Sequence, residues 1–184
     1  MAIVLPKQLG TKEGDLLSKK SELVLDFKEA DEIVKSLKES LNHYGGVGIA
    51  APQIGISKRI FIVDIKPTER YKERYPEMQE VGFVSYINPK ILKFSLGANK
   101  NPEGCLSVFY GAFYGKVKRA NNLKIEYFDL EGKKHTEQIK DSFHARVIQH
   151  EFDHLEGKNF LYRMEEKDFL SVAFDEKLDI RKKD

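Results

Sequence analysis

The chain contains a single cysteine, Cys105, no long apolar run and no marked excess of charge of either sign. One cysteine excludes an intramolecular disulfide, and a lone thiol suits a reducing compartment. Packing, catalysis and metal ligation remain as roles for Cys105. No stretch of eighteen apolar residues occurs, which argues against a membrane-spanning helix, and the N-terminal MAIVLPKQLG has too short an apolar patch for a signal peptide. Lys and Arg number 31 against 29 Asp and Glu, a formal charge of +2. Such a balance gives no bulk attraction to nucleic acid or to an anionic membrane, and neither partner is expected. These absences point to a soluble, untargeted, cytoplasmic protein. At 184 residues the chain fits one domain spanning positions 1–184, with no repeat and no linker.

Secondary structure follows from periodicity. After a short apolar start, residues 7–24 read as a loop with one turn of helix. From Asp26 to His43, Phe27, Ala30, Ile33, Val34, Leu37 and Leu41 recur at helical spacing among polar residues, and Gly45 and Gly46 end the helix. The stretch GGVGIAAPQIG from Gly45 to Gly55 is small, apolar and nearly chargeless, and reads as a packed loop. Its glycines follow a helix and precede a strand, the reverse of a phosphate-binding loop, and no Gly-Lys-Ser/Thr follows. Arg59–Ile65 reads as strand, 66–82 as an exposed and peripheral excursion, and Val84–Phe94 as strand with a bulge or edge at Pro89. SLGANKNPEG reads as a polar loop. Lys116–Arg119, Leu123–Leu130 and Lys134–Ile139 alternate like antiparallel strands, the last two joined at Glu131-Gly132. Asp141 or Ser142 caps a last long helix that Gly157 ends, and EKLDIRKKD reads as a solvated tail.

That last helix carries RVIQHEFDHLEG. His150 and His154 lie one turn apart on one face, where two imidazole nitrogens can hold a divalent metal, and Glu151 points into the same quadrant. Ala145, Ile148, Phe152 and Leu155 fall on the opposite, core side. A catalytic metal needs a third protein ligand and an open position. His144 lies six residues before His150, about 9 Å along the axis, and is too far to share the ion. His135 falls in a hairpin and reads as a surface residue; His43 reads as a helix C-terminal cap. In Glu103-Gly104-Cys105-Leu106-Ser107, Cys105 sits in a short turn from which a thiolate could serve Zn²⁺ or Fe²⁺. Taken alone, a buried core cysteine is the simpler reading.

GGVGIAAPQIG, EGCLS and QHEFDHLEG, in this order, resemble the three signature motifs of the peptide deformylases, which remove the formyl group from N-terminal formylmethionine of new bacterial polypeptides. The resemblance extends through Ile87-Asn88-Pro89-Lys90 and the strands before the last helix. It implies an α+β fold, antiparallel sheets packed around a central C-terminal helix that carries the metal-binding HEFDH motif. It implies one divalent ion per chain held by Cys105, His150 and His154, Fe²⁺ in vivo, with Zn²⁺, Ni²⁺ or Co²⁺ suiting the same donors. N-formylmethionyl nascent peptides are the implied partner, which raises a contact with the ribosome. Phe109 departs from the resemblance, because many members carry proline there. So do the aromatics through Tyr114, the length of 66–82, and extra residues near Gly10.

The implied mechanism assigns Glu151 as general base and acid acting on a water in the open position, whose pKa the metal lowers. The Gln53 side-chain amide and the Leu106 backbone N–H would face the developing oxyanion. Without the motifs, Gln53 reads as a loop side chain bonding backbone. Val47 and Gly48 would lie along the peptide as an added strand does. Val47, Phe143 and Val147 would form a methionine-sized pocket, with Phe143 assigned on helix phase alone and equally readable as core. A zinc endopeptidase competes on His-Glu-x-x-His alone, but no downstream ligand stands out and Cys105 does. An inactive deformylase-like metal-binding protein is the non-enzymatic alternative; a structural site would normally be closed by four ligands.

Overall fold

The computed structural model describes residues 4–172; the charged tail read as a solvated end lies outside the described residues, as does Ile3 of the apolar start. After a 3₁₀ turn at Lys12–Ser18, helix α1 spans Phe27–Tyr44. Its start and stop are those written in the sequence. The Asp26 side chain accepts a hydrogen bond from the Lys28 N–H at 2.9 Å, a cap worth about 1 kcal/mol. At the other end Gly45 takes a left-handed conformation, φ 73°, and its N–H closes on the Leu41 carbonyl.

Five antiparallel strands form the main sheet in the order β1-β2-β3-β6-β7: β1 Gly48–Ala50, β2 Ile60–Ile65, β3 Val81–Phe94, β6 Leu123–Phe128 and β7 Lys134–Ile139. Side chains of β2 alternate between two cores. Ile60 and Ile62 pack with α1, whereas Phe61, Val63 and Ile65 pack with α3, Ser142–Leu155. Burial on both faces explains why β2 is apolar at every position from Ile60 to Val63 rather than alternating. In β3 the pairing with β6 shifts register between Ile87 and Lys90, where Asn88 has φ 49° and Pro89 follows. The Asn88 side-chain amide exchanges two 2.9 Å hydrogen bonds with the backbone of Val24, which fixes the bulge. Helix α2, Glu69–Arg74, lies between β2 and β3.

A second sheet has the order β4-β5-β8, with β4 Ala98–Gly104, β5 Phe113–Ala120 and β8 Phe169–Val172. Helix α3 lies between the two sheets and is buried over nearly its whole length. Its polar residues are tolerated because strands answer them. Gln149 exchanges hydrogen bonds of 3.1 and 2.9 Å with the N–H and C=O of Ala120. Asp141 caps the helix by accepting from the His144 N–H at 2.7 Å. The expected architecture, antiparallel sheets around a C-terminal helix, is the one observed.

Three local expectations need correction. Gly45–Gly55 is not all loop: it contains the edge strand β1 and a 3₁₀ turn at Ala51–Ile54. Three residues are too few to show strand periodicity. SLGANKNPEG also contains a strand, β4, which pairs with β5 from Ala98↔Ala120 to Gly104↔Tyr114. It lacks apolar alternation because its inward groups bind arginine rather than packing on hydrocarbon. The 66–82 excursion is not peripheral either. Met78 is buried in the α3 core, and Tyr71 and Tyr75 pack on Phe143 with ring centroids 6.3 and 4.3 Å away.

Candidate metal centre and cleft

β4 delivers Cys105 to α3. The strand ends at Gly104, the chain turns so that the Val108 N–H bonds the Cys105 carbonyl, and the thiol comes to rest 3.2 Å from His154 Nε2. Donor atoms of Cys105, His150 and His154 all lie within 4.8 Å of one another. Gly104 is needed for this approach, since a Cβ there would sit 2.6 Å from the Tyr114 ring. One sulfur and two imidazoles match the softness of Zn²⁺ or Fe²⁺, and three donors leave a fourth position open. The donor set therefore fits a catalytic metal.

Surroundings of the three donors support that fit. His150 Nδ1 lies 3.0 Å from Glu103 Oε2, which leaves the other ring nitrogen for a metal. Glu103 is in turn gripped by Arg119 at 2.9 Å through both carboxylate oxygens and by Arg146 at 2.6 Å. Asp153, the residue before His154, binds Arg119 at 2.5 Å and Arg163 at 2.7 Å. Burial disfavours ionised Glu103, yet Arg119 and His150 hold its carboxyl well below the usual range. Burial likewise pushes the Cys105 thiol up, but the adjacent His154 and a bond with His150 bring it down to about 5, a thiolate at neutral pH. His150 is displaced the other way: its bonds with Cys105 and Glu103 outweigh burial and raise it well above its ordinary value.

Glu151 is 4% exposed, and burial pushes its carboxyl up to about 7 against the pull of His150 and His154. Its Oε2 has no hydrogen-bond partner among the described residues. Gly48 leaves it room: a Cβ on Gly48 would fall 2.8 Å from Glu151 Oε1 and 3.0 Å from Val147 Cγ1. Gln53, 2% exposed, is oriented by its own neighbours. Its Oε1 accepts from the Ala50 N–H at 2.8 Å, so its NH₂ is turned to Ser107 Oγ at 3.3 Å and Cys105 Sγ at 3.6 Å.

A cavity of about 140 Å³ is lined by Val47, Gly48, Gln53, Cys105, Leu106, Phe143, Val147, His150 and Glu151. Every residue assigned to the site from the sequence borders it except His154, which is 1% exposed. Phe143 serves both readings weighed for it, lining the cavity while packed in the α3 core. His144 is outside the site: its Nε2 lies 3.1 Å from the Tyr86 hydroxyl. His135 bonds Asp129 at 2.6 Å and His43 stays exposed at the end of α1. Sequence reasoning missed the Glu103–Arg119–Arg146 cluster, Tyr71 of α2 and Tyr75 just after it. The one signal for Glu103 was a carboxylate two residues before a candidate ligand.

Residues 6–169 match the sequence profile of the polypeptide deformylases. The chain belongs to this family. Peptide deformylase 1 of Clostridium perfringens is 38% identical over 158 residues, covering 84% of this chain and 95% of that protein. The Rickettsia akari peptide deformylase is 38% identical over 152 residues, 80% of this chain and 81% of that one. Among solved structures, the Met-Ala-Ser-bound class I type b peptide deformylase of Acinetobacter baumannii superposes with a TM-score of 0.79 at 34% identity, over 89% of this chain and 99% of that one. The deformylase fold thus brings Cys105, His150 and His154 together. No helix among the described residues is long and apolar enough to cross a membrane.

Proposed function

We propose that this deformylase removes the formyl group from N-formylmethionyl peptides, with residues 1–184 acting as one catalytic domain. The observation that carries the reading is Cys105, His150 and His154 converging beside a buried Glu151, whose Oε2 has no hydrogen-bond partner among the described residues, at the head of an open cavity. Cys105, His150 and His154 would hold the ion. The metal, when bound, supplies Lewis-acid activation of water and of the formyl oxygen. Fe²⁺ is the ion that the deformylase resemblance implies in the cell; the thiolate and two imidazoles suit Zn²⁺, Ni²⁺ and Co²⁺ as well.

Glu151 takes the proton from the attacking water and returns one to the departing amine nitrogen. A carboxyl held near neutrality by burial is matched to both transfers. The Gln53 NH₂ and the Leu106 N–H donate to the oxygen as it gains charge. Ala50 holds the Gln53 amide in the donating orientation before any charge appears. The peptide backbone runs along the Val47–Gly48 edge of the main sheet, where β1 has a neighbour on only one side among the described residues. Val47, Phe143 and Val147 take the methionine side chain, with the Tyr75 ring tilted against Phe143 at a centroid distance of 4.3 Å. Valine and aromatic surfaces fit an unbranched thioether. The protein acts in the cytoplasm on nascent chains, close to the ribosome that delivers them.

Anaerobic purification, metal analysis and an assay on formyl-Met-Ala-Ser test the reading. Release of formate with one metal ion per chain is expected. Cleavage of unformylated proteins without formate release would favour an endopeptidase instead.

A further inference from the structure

The N-terminal residues just before Gly10 reach the active-site loops. Three consecutive residues bind both. The Lys7 N–H donates to the Gln53 carbonyl at 2.7 Å, and the Leu9 N–H donates to the Ser107 carbonyl at 2.9 Å. Between them Gln8 Nε2 donates to the Leu106 carbonyl at 2.9 Å and to the Pro6 carbonyl at 3.0 Å. Gln8 Oε1 accepts from the Tyr110 N–H at 3.0 Å. The amide cannot be flipped, because its NH₂ would then meet the Tyr110 donor and its oxygen the Leu106 acceptor.

Gln8 is itself held. The Thr11 hydroxyl donates to its carbonyl at 2.8 Å and accepts from the Gly14 N–H at 3.1 Å. Gly14 approaches so closely that a Cβ on it would lie 1.9 Å from the Gln8 oxygen. The loop that Gln8 grips is strained. Phe109 and Tyr110 have φ of 45° and 53°, the left-handed region that non-glycine residues rarely occupy. Such backbone persists only where the surroundings over-determine it. Gln8 bonds both sides of this turn, at Leu106 and at Tyr110.

We propose that residues 7–9 form a strap that fixes the two oxyanion donors relative to each other, with Gln8 as its positioning residue. The proposal rests on the deformylase reading and on Gln53 and Leu106 as the donors. Lys7 holds the Gln53 backbone, while Gln8 and Leu9 hold the carbonyls of Leu106 and Ser107, the two peptide planes that follow the Leu106 N–H. A donor aids the reaction only if it is in place before charge develops, and displacement by about 1 Å can cost on the order of 100-fold in rate.

Two variants of the full-length, metal-loaded protein test this. Gln8→Leu removes all three side-chain bonds; Gln8→Glu keeps an acceptor for Tyr110 but has no donor for Leu106 or Pro6. Both should lose about 10- to 100-fold in kcat on formyl-Met-Ala-Ser, with KM within about twofold of wild type. Metal stoichiometry and the affinity for the product Met-Ala-Ser, measured calorimetrically, should not change. Wild-type kcat in both variants would overturn the strap while leaving the deformylase reading intact. Loss of metal or of Met-Ala-Ser affinity in step with kcat would also overturn it, by making Gln8 a general structural residue. A wild-type protein that is metal-loaded yet inert on formyl-Met-Ala-Ser would remove both readings.

Discussion

His150 Nδ1 lies 3.0 Å from Glu103 Oε2, and that carboxylate is clamped on its far side by Arg119 and Arg146. The chain thereby fixes which imidazole nitrogen remains for a metal and how the ring is turned. Glu103→Gln keeps the shape but loses the charge. It should weaken metal affinity by about 10- to 100-fold, read by competition with a chelator. Unchanged affinity would show that the arginine cluster serves folding alone.

Cys105→Ala should abolish stoichiometric metal binding, because two histidines alone leave the site short of a ligand. Metal analysis after dialysis checks it. A retained equivalent of metal would move the third ligand elsewhere.

Much of this centre was legible in the sequence, since His150, Glu151 and His154 share one helical segment and their relative positions follow from helix geometry alone. Cys105 and Gln53 could be placed beside it only through the family resemblance, because periodicity says nothing of contacts between residues about fifty and about a hundred positions apart. β4 was hidden for a different reason. Its Asn99 and Glu103 face Arg146 and Arg119 instead of hydrocarbon, so no apolar alternation marks it as a strand. Tyr71 and Tyr75 sat in a charged stretch whose composition signals solvent, and their role in backing Phe143 depends on where the chain folds back.

Gly48→Ala tests the close approach of β1 to α3. The added methyl would fall 2.8 Å from Glu151 Oε1, so the carboxylate must shift. We expect kcat on a formylated peptide to fall by about 100-fold with the fold retained by circular dichroism. Full activity would mean that Glu151 has freedom the packing denies it.

His144 links stability to pH. Burial lowers its pKa below 6.5, with Asp141 and Glu137 opposing, and its Nε2 lies against the Tyr86 hydroxyl. The unfolded chain therefore binds the proton more readily than the native one. Stability from this group is present above the unfolded pKa and is lost as pH falls through the folded one. Thermal melts from about pH 7.5 to pH 5.5 should show wild type losing stability relative to His144→Gln. Parallel curves would mean that His144 does not titrate in this range.

Glu151 bears the central claim, that one buried carboxylate moves the protons while three other side chains hold the ion. The measurement is kcat of Glu151→Gln on formyl-Met-Ala-Ser beside its metal content. We predict one metal ion per chain and a loss of about 100- to 10,000-fold in kcat. Near-wild-type turnover by the metal-loaded variant would contradict the account.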